Sequence, residues 1–142
     1  MRKLLIALLL LLPFPALAWQ EPARGTPLRA DLMDAIRPLL EWNLGAPVEI
    51  VVHQLRVEGD LGFVSAYAQR PGGGVIDMGT TPMARRGEYY PETSDGTTIQ
   101  ALLRRSGRMW VPVHWAQGAT DVWFIDPELC DGWRPVLTEY CN

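Results

Sequence analysis

Lysine is missing from this chain beyond Lys3, so every later positive charge belongs to an arginine. A lysine nucleophile or a lysine Schiff base is therefore excluded for residues 19–142. Cysteine and histidine are nearly as scarce, with two of each in 142 residues. Zinc sites take three or four protein ligands, mostly His and Cys, so this small supply argues against a metal site. We expect neither a metal nor another cofactor.

The motifs of the common catalytic sites are also missing. No serine stands in the strand–turn–helix pattern of a nucleophile elbow. The glycines at 72–74 lack the helix start and the Lys and Ser/Thr residues that complete a phosphate-binding loop, so they indicate a flexible turn. No paired-carboxylate motif of an acid–base site is recognisable either. These absences favour a binding function over an enzymatic one.

The longest apolar run lies at the N-terminus and is too short to span a membrane. Leu4–Leu12 follows Arg2 and Lys3, and Ala16–Ala18 has the A-x-A pattern of a cleavage site. The run is about half of the roughly 20 residues that a spanning helix needs. The pattern predicts a signal peptide over residues 1–18. We therefore expect a secreted or periplasmic protein, without stable membrane insertion after cleavage.

The remaining chain, residues 19–142, is long enough for one domain with a single core. Of the 13 Lys and Arg residues, 11 remain when Arg2 and Lys3 are removed, against 16 Asp and Glu, so the net charge is −5. An acidic chain binds nucleic acid and anionic membranes poorly. The composition leaves an unidentified protein or small molecule as the partner.

Cys130 and Cys141 are predicted to form a disulfide bond. An exported chain meets an oxidising compartment, and an even number of cysteines suits a disulfide there. The bond would close a short loop around Trp133 and tie the C-terminal tail to the rest of the domain.

One helix is predicted near the start of the domain. Apolar residues recur at helical spacing over about 27–43, with Thr26 as N-cap and Pro27 in the first turn. Pro38 lies inside this range and predicts a bend, because proline removes one helical hydrogen bond. Gly45 then ends the helix.

Two strand-forming runs follow, Val48–Val57 and Leu61–Gln69, joined by a tight turn. Strict alternation along the first run places Val51 and Leu55 on one face and Val52 on the other. One face of the second run carries small residues that would let a helix pack closely. The next segment, 70–96, reads as a long irregular loop, with short strand pieces considered at 75–76 and 89–90.

A second hairpin is centred on Ser106-Gly107, a dipeptide that marks turns. A two-residue loop at this position pairs Leu103 with Trp110. The predicted faces of the return strand are Met109, Val111, Val113 and Trp115 on one side, and Trp110, Pro112 and His114 on the other.

Neither face of this hairpin is polar. One face must therefore cover the helix, and the other must meet the long loop, the C-terminal tail or a partner. We expect the helix to use Leu32, Ile36 and Leu39 against the face that carries Val111 and Val113. Asp126-Pro127 marks a further short helical turn before the tail.

The element order predicts an α+β fold in which one N-terminal helix packs on a four- to five-stranded antiparallel sheet. This order resembles cystatin-like and NTF2-like folds, and Ala101–Trp115 is similar to the late strands of NTF2-like proteins. The chain lacks the Gln-x-Val-x-Gly signature of type 2 cystatins, so protease inhibition does not carry over.

The candidate binding surface is aromatic and arginine-rich. Trp110 stands in a stretch with many tryptophans, a residue enriched at binding surfaces. The proposed surface consists of Trp110, Tyr89, Tyr90, Arg104 and Arg105. The alternative is that the tryptophans form the core and that the arginines sit on a solvated turn.

The alternative function is a pocket enzyme or small-ligand carrier of the NTF2-like kind. It would use His114 and Asp121, which could form an acid–base pair across the bend at Gly118. A concave cavity that holds His114 would favour this alternative. A filled core between sheet and helix would favour the binding module.

Overall fold

The computed structural model describes residues 19–141, so the predicted signal peptide lies outside the described residues. The fold is α+β: within the described residues, one long helix packs on a four-stranded antiparallel sheet, accompanied by two shorter α-helices and four single turns of 3-10 helix. The helices are α1 Pro27–Leu44, α2 Pro82–Arg85 and α3 Pro127–Trp133, and the strands are β1 Glu49–Glu58, β2 Leu61–Gln69, β3 Thr98–Ser106 and β4 Met109–Gln117. Among the described residues, no helix is both long and apolar enough to cross a membrane.

Helix α1 forms where the periodicity predicted it. The Thr26 hydroxyl accepts a hydrogen bond from the Arg29 backbone amide at 3.4 Å, and Gly45 ends the helix with φ of +80°. Pro38 lies on the exposed side, within the helix. Residues spaced four apart form one fully buried stripe, namely Leu32, Ile36, Leu40 and Leu44.

The four strands follow one another in the order β1-β2-β3-β4, and α1 covers one face of this meander. Gly62 in β2 lets α1 pack closely on the sheet, as the small residues on this face of the strand predicted. A Cβ atom at this position would lie 3.4 Å from the side chains of Leu32, Leu103 and Trp110. The core between helix and sheet is therefore filled at this point.

Strict alternation along β1 was a wrong assumption, because a β-bulge interrupts the pairing at His53. Val52 pairs with Ala66, and the next pair is Gln54 with Ser65. One extra residue shifts every later side chain to the other face. Val52 and Leu55 consequently share the helix-facing side.

The second hairpin differs from its prediction in both loop and faces. Ser106 pairs with Met109, so the two loop residues are Gly107 and Arg108. Leu103 pairs with Pro112 instead of Trp110. A shift at Val113 then moves Trp115 to the helix-facing side, where it pairs with Ala101, and places His114 on the other face opposite Leu102.

The prediction that α1 packs on the Val111 face of β4 is also wrong. Trp110 packs in the core under α1 and is only 7% exposed. Val111 and Val113 are 40% and 45% exposed and do not belong to that core. The predicted contact of Ile36 with these two valines is therefore replaced by packing against the Trp110 side.

The loop over 70–96 contains α2 and two single turns of 3-10 helix, Met78–Thr80 and Pro91–Thr93, in place of the considered strand pieces. Two arginines anchor it to the end of α1. Arg70 donates hydrogen bonds to the carbonyls of Leu44, Gly45 and Pro47. Arg86 donates to the Asn43 side chain at 2.8 Å.

The C-terminal segment covers part of the other sheet face and forms a second core. Its members are Phe63 and Leu102 of the sheet and Phe124, Cys130, Trp133, Val136, Leu137 and Cys141 of the segment. The predicted disulfide between Cys130 and Cys141 is present, with Cα atoms 5.6 Å apart. The Trp133 indole N–H donates to the Leu103 carbonyl at 3.2 Å. The tail is thus a structural layer of the fold.

Opening this disulfide should loosen the tail. Replacing both cysteines with serine is expected to lower the free energy of unfolding by about 2–3 kcal/mol, because the unfolded chain loses the constraint of a short loop. Urea unfolding of the variant and the parent protein measures the loss. Thiol titration of the native parent protein should find no reactive thiol. Two thiols reacting without denaturant would contradict the assignment.

Candidate functional site

The C-terminal segment leaves part of the second sheet face uncovered. Cross-strand pairing arranges this face in rows, and the tail covers the row that contains Phe63 and Leu102. The next row runs across all four strands as Gln54, Ser65, Gln100 and Ala116. All four residues of this row remain partly exposed. Its three polar members, Gln54, Ser65 and Gln100, form a polar strip that borders the second apolar core.

A cleft of about 480 Å³ opens at this border. Its floor contains the three polar residues of the strip and Phe63. Its walls come from the loops before β3 and after β4 and from the tail. The wall residues are Asp95, Ala119, Thr120, Asp121, Val122, Phe124 and Tyr140. The volume falls in the range of small-ligand pockets.

Hydrogen bonds hold two of the polar side chains on the cleft floor in place. The Tyr140 hydroxyl lies 3.0 Å from Gln54 Nε2 and 3.1 Å from Gln54 Oε1. The Trp123 indole N–H donates to Gln100 Oε1 at 3.4 Å. Within the described residues, the Gln100 amide nitrogen and the Ser65 hydroxyl form no side-chain hydrogen bond. These two groups are available to a ligand.

The rim carries two carboxylates, and Gly118 fixes the position of one of them. Gly118 adopts φ of +67° directly after β4, and its carbonyl accepts a hydrogen bond from the Asp95 backbone amide at 2.8 Å. A Cβ at Gly118 would lie 2.4 Å from the Ser94 hydroxyl and 3.3 Å from the Gly96 carbonyl. Glycine therefore lets the 94–96 loop pack against the bend.

Replacing Gly118 with alanine should displace this rim. Gly59→Ala is the matched control, because Gly59 has φ of +56° but a Cβ added there would meet no atom within 4 Å. The control should cost about 1–2 kcal/mol from backbone strain alone. Gly118→Ala should cost more and should shift the amide NMR signals of Asp95 and Gly96. Equal costs with unmoved signals would show that the close contact is unimportant.

The tail wall is anchored by a buried arginine. Arg56 forms an ion pair with Glu139 and donates to the Val136 carbonyl at 3.3 Å. Its guanidinium also lies 4.5 Å from the ring centre of Trp19 and 5.2 Å from that of Tyr140. Cation–π contacts and the ion pair together hold the tail on β1.

Glu139 makes this anchor sensitive to acid. Partial burial raises the pKa of Glu139, but hydrogen bonds from its backbone amide and from Arg56 outweigh that effect, with help from the Arg56 charge and Thr138. The pKa therefore lies below its ordinary value of 4.5. A lowered folded-state pKa gives stability at pH values above the unfolded-state pKa, and this stability disappears as pH falls through the folded-state pKa.

Glu139→Gln should remove this pH-dependent contribution. The parent protein should be more stable than the variant near neutral pH, and the difference should vanish on acidification past the glutamate range. Urea midpoints measured from about pH 7 to about pH 3 test this expectation. A difference that stays constant across this range would assign the effect to packing instead of charge.

His114 and Asp121 are not brought together in one site. Asp121 lines the cleft, whereas His114 lies outside its lining. The His114 ring instead meets the Trp133 ring edge-on, with centroids 5.2 Å apart. No ion pair of the described residues joins the two side chains, and these residues contain no group of three or more metal-type ligands. The cleft thus holds Asp121 without a histidine.

The residues proposed as a binding surface also lie apart. Trp110 is buried, so the premise that it is exposed was wrong. Tyr89 packs against the first core, and Tyr90 is exposed on the long loop. Arg104 lies 5.0 Å over the Trp133 ring, and the Arg105 side chain donates to the Gly107 carbonyl at 3.2 Å. None of these five residues lines the cleft.

Sequence reasoning missed the polar strip. Gln54, Ser65 and Gln100 each interrupt an apolar strand, which is the signal that could have drawn attention to them. Their alignment depends on the bulge at His53 and on the strand register, and neither is legible in the sequence. Tyr140 joins them only because the tail folds back over the sheet.

No family model, curated protein or solved structure matches this chain. The geometry of the site is therefore the basis for any functional assignment.

Proposed function

We propose that the chain is an exported binding module that holds a small polar ligand in the cleft. The observation that carries this proposal is the partly covered sheet face, where a polar strip meets an apolar wall in a cleft of about 480 Å³. Binding pockets typically combine apolar walls with a few placed polar groups. The free Ser65 hydroxyl and Gln100 amide supply such groups.

The proposal assigns the fold to the cystatin-like and NTF2-like class. The helix on an antiparallel meander supports this assignment. The filled core between helix and sheet supports a binding module over the pocket enzyme, as does the absence of His114 from the cleft lining.

Export to the periplasm or the medium belongs to the same proposal. The N-terminal sequence pattern and the Cys130–Cys141 disulfide support it, since disulfides persist in oxidising compartments. Mass analysis of the exported protein should find a chain that begins at Trp19. An exported chain that still begins at Met1 would refute cleavage at this site.

Filling the cleft tests the binding function. Ser65→Phe places a large ring on the cleft floor, and Ser106→Phe places the same ring on the exposed end of β3 as a control. The parent protein should show raised melting temperatures with at least one member of a panel of sugars, amino acids and amines. Ser65→Phe should abolish this shift, and Ser106→Phe should retain it. A shift that survives in Ser65→Phe would place binding elsewhere.

A further inference from the structure

We propose that the cleft takes an organic cation, either an ammonium or a guanidinium group. This inference depends on the proposed function, since it names the ligand class of the same cleft. The inference is based on the cleft as a whole. Its floor offers hydrogen-bonding groups, and its rim carries two carboxylates.

The charge of the cleft has one sign. Among residues 19–141, Asp95 and Asp121 are the only carboxylates that line the cleft, and no arginine or histidine of this range lines it. Neither carboxylate belongs to an ion pair or a side-chain hydrogen bond among the described residues. Several arginines of the chain are paired with other acids, including Glu21, Glu88 and Glu139. Both carboxylates are exposed at the rim, where a cationic ligand can reach them.

The Asp95 side is held in place before any ligand arrives. The Asp95 amide donates to the Gly118 carbonyl at 2.8 Å, and the Asp95 carbonyl accepts from the Thr98 amide at 3.3 Å and from the Thr98 hydroxyl at 3.1 Å. A ligand that binds here does not have to order this backbone. Such preorganisation reduces the entropic cost of binding.

The rest of the cleft suits a cation that also carries an apolar stem. Phe124 and Tyr140 form one apolar wall, against which the aliphatic stem of such a ligand can pack while its charged end reaches the rim. The Ser65 hydroxyl can accept a hydrogen bond from such a group. A neutral polyol would also find partners on the floor, but it would form weaker hydrogen bonds with the two rim carboxylates than a cation does.

Two sources could supply this chemistry, namely a free small molecule and the side chain of another protein. n-Propylguanidinium presents the guanidinium as a free cation of single charge, and N-acetyl-L-arginine amide presents the same group as a protein side chain would. N-acetyl-L-citrulline amide is the control, because it replaces the guanidinium with a neutral urea of nearly the same shape. Tighter binding of n-propylguanidinium would indicate a free ligand, and equal or tighter binding of the arginine derivative would indicate a side chain.

NMR titration of the disulfide-bonded protein, residues 19–142, tests the inference. Both cations should shift the signals of Ser65, Gln100 and Tyr140, with dissociation constants at least about 10-fold lower than that of the citrulline derivative. Asp95→Asn and Asp121→Asn should each weaken cation binding by about 3- to 10-fold, since charge-assisted hydrogen bonds are the stronger ones. Asp60→Asn, at the exposed β1–β2 turn, should have no effect.

The outcomes separate this inference from the proposed function. Equal binding of the arginine and citrulline derivatives, abolished by Ser65→Phe, would overturn the cation and retain the cleft as a ligand site. Unchanged affinity in both asparagine variants would likewise overturn the cation. Shifts confined to residues outside the cleft would overturn both the cation and the proposed function.

Discussion

Replacing Trp110 with alanine is expected to lower the free energy of unfolding by about 3–5 kcal/mol, one of the two largest effects expected for this protein. Trp110 is 7% exposed and packs under α1. Its ring occupies the room beside Gly62, since a Cβ atom added to Gly62 would lie 3.4 Å from it. Removing the indole leaves a cavity that the surrounding residues can only partly fill. Urea unfolding followed by circular dichroism measures the loss.

Trp42→Ala is the matched control for this experiment. Trp42 is 68% exposed on α1, and the Arg86 guanidinium lies 4.9 Å from the centre of its ring. Losing an exposed cation–π contact should cost about 0.5–1 kcal/mol. If the two substitutions cost the same, Trp110 would not be a core residue. The idea of an exposed Trp110 that serves as a binding anchor would then return.

Ile36→Ala is the second large effect, at about 2–5 kcal/mol. Ile36 is fully buried in the stripe that α1 presents to the sheet. Val111→Ala, by contrast, should stay within about 0.5 kcal/mol, because Val111 is 40% exposed and lies outside both cores. The pair of variants measures which face of β4 the helix covers.

The opposite ranking of these two variants would contradict the observed packing. A large loss for Val111→Ala together with a small loss for Ile36→Ala would mean that α1 packs on the Val111 side. That result would restore the expectation that the Val111 face of β4, instead of the Trp110 face, covers α1. Chemical shifts of the β4 amides in the parent protein would show the same reversal.

Local chemistry made the elements of this fold predictable. Thr26, Pro27 and Gly45 mark the ends of α1, because capping and proline effects act within one turn of chain. The bounds of β2 follow from a run of strand formers between a tight turn and Gly-rich residues. The disulfide followed from two cysteines and a predicted export signal. The α+β class could be inferred from the order of these elements alone.

The sides of the strands could not be predicted. A bulge at His53 and another at Val113 each add one residue, and one residue is enough to reverse the face of every side chain beyond it. This reversal placed His114 against Trp133 and Trp115 on the helix-facing side. The sequence carries no strong local signal for either bulge, since a bulge is stabilised by the packing of the whole sheet.

The sequence by itself determined the long helix, the strands, the disulfide and the α+β class, because each depends on residues close together in the chain or on simple composition. Only the tertiary structure decided that Trp110 is core and that the tail covers part of the second face. It also decided that Gln54, Ser65 and Gln100 line one cleft together with Asp95 and Asp121. The physical reason is that register, bulges and the docking of the tail are set by contacts between residues distant in sequence. The candidate site is composed entirely of such contacts, so it emerged only when the chain was folded.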